Sequence, residues 1–143
     1  MLKTQSLNLL KALTRVKLLW LPCLIPLPLL LIWQELFLRL EVCALLIPST
    51  LFLHEWLHLL FIPNDARVEI CVSWHSICLK MEGTRLYLQA LLAALAPSLI
   101  LSGVGLLVAQ FDGLFALPFL MHAISFPIDL WGWYGGVVSH EQA

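Results

Sequence analysis

The stretch from Val42 to Pro63 is apolar enough to lie in a membrane, its one charge is Glu55, and two histidines flank that carboxylate in the run His54-Glu55-Trp56-Leu57-His58. A chain with such a stretch has few ways to fold, because an ionisable group at bilayer depth costs about 2.5 to 3.5 kcal/mol on insertion scales. Groups placed there at that cost normally serve a function. At helical pitch His54 and His58, four residues apart, stand one above the other on a single face, and Glu55 flanks that face. That spacing can offer two imidazole nitrogens to one metal ion, with a carboxylate beside them as a general base.

The rest of the chain fits a bilayer setting. Its 143 residues are 61% hydrophobic and 12% charged, against about 25% charged in soluble domains, and the mean hydropathy is +0.92. A hydrocarbon core about 30 Å thick takes about 20 helical residues to cross. The expectation is a single all-α integral membrane domain, residues 1–143, with about four transmembrane helices at 18–40, 42–63, 86–109 and 114–138. Pro22, Pro26 and Pro28 interrupt the first segment, so a bent or partly re-entrant course is expected there. Before it, residues 1–17 read as an amphipathic interfacial helix, with Leu2, Leu9, Leu13 and Val16 on one face and the bases on another. No small-residue cleavage site follows these bases, which argues against a signal peptide. A net charge of -1 gives no attraction to nucleic acid. Cys23, Cys43, Cys71 and Cys78 form no CxxC pair and are expected to be reduced thiols.

Seven of the eight Lys and Arg residues lie before the first segment or between 64 and 85, and only Arg39 lies near the junction of segments one and two. The positive-inside rule then places both termini and the 64–85 connection in the cytoplasm. With that orientation His54 and Asp129 each stand nine residues before the inner end of their own segment, on the order of 14 Å deep. The candidates for a third ligand are therefore Asp129 and His122, with Asp129 preferred because Pro127 is expected to kink its helix and turn the carboxylate inward. His122, seven residues earlier, shares nearly the same face and either hydrogen-bonds a substrate carbonyl or bridges helices.

The 64–85 connection has a pattern of its own. Pairing residues whose numbers sum to 149 sets Val68 against Met81, Ile70 against Leu79 and Val72 against Ile77, with Arg67 opposite Glu82 and Glu69 opposite Lys80 on the other face. Apolar pairs on one side and opposite charges on the other predict a small cytoplasmic β-hairpin turning at 73–76. Pro97, Ser102, Gly103 and Gly105 in the third segment read as helix-packing residues.

In zinc hydrolases three protein ligands leave a fourth position open for water, whose pKa falls to about 7. His54-Glu55-Trp56-Leu57-His58 in one span and Phe126-Pro127-Ile128-Asp129 in a later one resemble the two motifs of the site-2 protease class of intramembrane zinc metalloproteases. Across about residues 40–135 the chain is similar to small bacterial membrane peptidases of zincin type. The resemblance implies one Zn2+ per chain held by His54, His58 and Asp129, Glu55 as catalytic base, and a transmembrane or membrane-adjacent protein as substrate. Where the class has Asp-Gly this chain has Asp129-Leu130, His122 stands where an Asn is usual, and no PDZ-like stretch is present. A helical substrate must become extended to be cut. The hairpin positions Val68, Ile70, Val72, Ile77 and Leu79 are expected to hold it by strand addition. The alternative function is zinc binding without proteolysis, as in a metal transporter or accessory subunit. Substrate identity and oligomeric state have no signature in these residues.

Overall fold

Helix α1, Leu2–Arg15, opens the computed structural model, whose described residues are 2–62, 67–72, 77–82 and 87–141. The side chains at 2–4, 67, 68, 71, 72, 77–82, 87 and 135–141 lie outside that description. The amphipathic pattern of α1 is realised, since Leu9, Leu13 and Val16 are buried while Leu7 and Leu10 remain exposed. Its partner differs from the expected lipid. The helix packs on α2, Gln34–Phe61, and on strand β1, Arg67–Val72, and the Trp56 indole N–H donates to the Ser6 hydroxyl at 3.1 Å.

After α1 the prolines act as expected, by excluding α-helix. The chain forms two 3-10 segments, Lys17–Leu24 and Leu27–Leu31, and Lys17–Leu31 meets Gln5–Arg15 at 59°. At the 3-10 rise of about 2.0 Å per residue, Lys17 to Leu31 reach about 30 Å. The expected boundary between spans at residues 40–42 is wrong. Helix α2 is continuous over 28 residues from Gln34. Arg39 sits within the helix because it pairs with Asp112 and lies 5.8 Å over the Phe115 ring. Charge does not break a helix, and residues 34–47 hold no Gly or Pro that would.

Strands β1 and β2, Ile77–Glu82, pair antiparallel in the expected register, from Arg67 opposite Glu82 to Val72 opposite Ile77. The turn at 73–76 lies outside the described residues, as do the side chains of Val68, Val72, Ile77 and Leu79.

Helix α3, Tyr87–Ala109, is the hub, packing against α2, α4 (Gly113–Leu120) and α5 (His122–Glu141). Ala90, Ala93, Ala94, Pro97, Ser98 and Leu101 are buried at three- and four-residue intervals, and the small size of the alanines and the serine lets neighbouring helices approach closely. Gly105 is one such point, since a Cβ there would stand 2.9 Å from the Leu120 side chain and 3.0 Å from its backbone nitrogen. Gly103 faces open space and has no such packing role.

The fourth expected segment, 114–138, is divided. Helix α4 is capped by Asp112, whose carboxylate accepts from the Leu114 and Phe115 N–H groups at 2.9 and 3.4 Å, and the α-helix is interrupted at Met121 before α5. Pro127, where a kink is expected, lies within α5, which continues through it. In an unbroken helix the Pro118 carbonyl would take the His122 N–H. It lies 3.3 Å from the Thr50 hydroxyl of α2, whose single proton is shared with the Ile47 carbonyl at 3.1 Å.

Among the described residues, three stretches are long and apolar enough to cross a membrane: Gln34–Phe61, Leu88–Ala109, and Gly113–Tyr134 across the α4–α5 break. A fourth is reached if the bent pair Gln5–Arg15 and Lys17–Leu31 counts as one.

Candidate metal centre

Helix α2 carries His54, Glu55 and His58 to the centre of the helix group with one turn between the histidines. Helix α5 supplies His122 from its first residue and Asp129 two turns later. All but the rims of His58 and Asp129 is closed to solvent: His54 is 3% exposed, His122 6% and Glu55 8%.

The histidine Nε2 atoms face each other at 3.1 Å. Asp129 faces both, with Oδ2 at 3.6 Å from His54 Nε2 and Oδ1 at 4.0 Å from His58 Nε2. Taking one ligand atom from each residue, the three lie within 4.8 Å of one another. Donors bound tetrahedrally at about 2.0 to 2.2 Å would stand about 3.3 to 3.6 Å apart. The His54–Asp129 edge at 3.6 Å meets that spacing, the His54–His58 edge at 3.1 Å is slightly tighter, and the His58–Asp129 edge at 4.0 Å is wider. His54, His58 and Asp129 thus form a group that can hold a metal ion.

The surrounding hydrogen bonds favour the same role. His58 Nδ1 lies 2.6 Å from the Ala93 carbonyl, which can only accept, so Nδ1 carries the proton and the Nε2 lone pair points at His54 and Asp129. The Ser98 hydroxyl donates to Asp129 Oδ2 at 2.7 Å, orienting the carboxylate as outer partners of metal-ligating carboxylates do. His54 Nδ1 is buried with no hydrogen-bond partner among the described residues.

His122 comes into the site as well. Its ring stacks on His54 with centroids 4.8 Å apart and planes 16° from parallel, while the His54 and His58 rings meet edge to face at 4.7 Å. The histidine stack therefore lies on the side of His54 that faces α5. Of the hairpin positions, the side chain of Ile70 alone is described, and it is half-buried.

Two participants escaped sequence reasoning, both on α3: Ser98 and the Ala93 backbone carbonyl. A serine directly after a mid-helix proline, in an apolar span, was the available signal for the first. No side-chain pattern marks a carbonyl acceptor directly. No protein-family model, curated protein or solved structure matches this chain.

Proposed function

We propose that the protein is a zinc-dependent endopeptidase embedded in a membrane, cutting transmembrane or membrane-adjacent peptides. The observation that carries the reading is the convergence of His54, His58 and Asp129 from two helices, with the buried carboxylate of Glu55 next to the first ligand. Ligand chemistry favours zinc, one ion per chain, because two imidazoles and one carboxylate with a fourth position open is a common catalytic zinc set. Charge favours it too, since a dication balances the carboxylates of Asp129 and Glu55 in an apolar setting. Bound zinc would polarise a peptide carbonyl and bring the pKa of water close to neutrality.

The chain's own residues then divide the work. His54, His58 and Asp129 hold the ion, while Ser98 and the Ala93 carbonyl fix the orientation of Asp129 and His58. Glu55 accepts a proton from the attacking water and returns it to the leaving nitrogen. His122, stacked on His54, borders the place where a scissile carbonyl would lie and is a donor to its oxygen. The β1–β2 hairpin offers an edge on which an extended substrate keeps its amides paired. The distribution of Lys and Arg puts both termini and this hairpin on the cytoplasmic side of the cell membrane, so the cut falls towards the inner face.

Glu55→Gln separates this reading from metal binding alone. Both proteins, purified in detergent, should retain about one zinc per chain, and cleavage of single-span peptides should fall about 10²- to 10⁴-fold in the variant. Equal cleavage by the two, or no metal in either, refutes the proposal.

A further inference from the structure

Among the described residues, four α-helices contain an internal proline: Pro48 in α2, Pro97 in α3, Pro118 in α4 and Pro127 in α5. A proline has no N–H for the carbonyl four residues before it, and its ring pushes that carbonyl out of line. In α3 the carbonyl released by Pro97 is that of Ala93. It is the same carbonyl that His58 Nδ1 meets at 2.6 Å.

The same relation recurs in α4. Pro118 releases the carbonyl of Leu114, and the Cys43 thiol on α2 donates to it at 3.5 Å. Twice, then, a side chain of α2 fills the acceptor that a neighbouring proline has vacated, and in α3 that side chain is a member of the metal group. Pro97 is fully buried, as are Ala93 and Ser98 beside it, so solvent does not compete for the carbonyl. A buried carbonyl left unpaired would be costly. His58 therefore satisfies a need created by Pro97, and in return its ring is held with Nδ1 protonated and Nε2 facing the other ligands.

We propose that Pro97 is a positioning residue for the metal centre, acting through the Ala93 carbonyl to set the tautomer and ring orientation of His58. The proposal rests on the metal reading of His54, His58 and Asp129. It gives Pro97 a purpose apart from helix packing. An alanine at this position would supply an N–H to the Ala93 carbonyl and draw it back along the helix axis, leaving His58 Nδ1 to compete for its acceptor.

The test is zinc affinity of the full-length protein in detergent, measured by competition with a chromophoric chelator, alongside thermal melting without metal. Pro97→Ala is expected to bind zinc about 10- to 100-fold more weakly, the cost typical of losing an outer partner of a ligand, and to melt no lower than wild type. A second variant replaces Pro97 with lactic acid, whose ester linkage also lacks the N–H, by cell-free suppression. It should hold zinc within about threefold of wild type, as should Pro118→Ala. The proposal is overturned if Pro97→Ala binds as tightly as wild type, if the ester is as weak as the alanine, or if Pro118→Ala weakens equally. Should Pro97→Ala fail to fold, the ester decides alone, retention supporting the proposal and a tenfold loss overturning it. Absence of zinc binding by wild type would instead remove the metal reading itself.

Discussion

Removing one oxygen atom from α3 provides a sharp measure of how the centre is held. Ser98 is 1% exposed and its hydroxyl donates to Asp129 Oδ2 at 2.7 Å, a short bond to an acceptor that is charged when it binds metal. Hydrogen bonds to charged groups contribute about 1.5 to 3 kcal/mol, which at about 1.4 kcal/mol per factor of ten corresponds to about 10- to 100-fold in an equilibrium constant. Because the same bond also steadies the carboxylate without metal, Ser98→Ala should fall in the lower half of that range, at about 10- to 30-fold weaker zinc binding. Ser102, one turn further along α3, is the matched control. Its hydroxyl is buried without a partner among the described residues, so Ser102→Ala removes an unsatisfied group and should leave affinity unchanged and stability equal or higher. Chelator competition on detergent-solubilised protein, with metal counted by atomic absorption, reads both variants. Ser98→Ala binding within twofold of wild type would refute the positioning role of Ser98. A loss equal to that of Ser102→Ala would do the same.

Two further outcomes follow from the packing. Gly105→Ala drives a Cβ to 3.0 Å from the Leu120 backbone and should destabilise by about 1 to 3 kcal/mol, as overpacking does; Gly103→Ala meets open space and should stabilise α3 by up to about 1 kcal/mol through helix propensity, both read by thermal melting in detergent. At Asp112, partial loss of water pushes the carboxyl pKa up, and this is outweighed by the Phe115 and Leu114 N–H groups and the Arg39 guanidinium, which hold it below the usual Asp value. A depressed folded-state pKa means that its contribution is complete above the ordinary Asp pKa and is lost as pH falls through the lower folded value. Asp112→Ala should therefore lower the melting temperature at neutral pH and flatten the acid limb of its pH dependence, with Asp112→Asn intermediate because it keeps the cap. An unchanged acid limb in Asp112→Ala would contradict this.

What could be read along one segment was determined by the sequence. The one-turn separation of His54 and His58 follows from helical pitch, and the hairpin register from alternating apolar and charged pairs summing to 149, because each depends on a periodicity carried by neighbouring residues. Asp129 was reachable as well, since charge-derived orientation equates depths on separate spans, and the structure brings it to 3.6 Å from His54. Other features depended on which surfaces met. Arg39 lies inside α2 instead of between spans because Asp112 receives it. The face of α1 expected for lipid is covered because α2 and β1 lie beside it. The helical interruption falls at Met121, where the Thr50 hydroxyl of α2 approaches the Pro118 carbonyl. The supports of the metal group, Ser98 and the Ala93 carbonyl, came to light only in the packed structure. Pitch and alternation are written in the order of residues, whereas a backbone acceptor has no letter of its own and gains a role only when packing places another helix's donor against it.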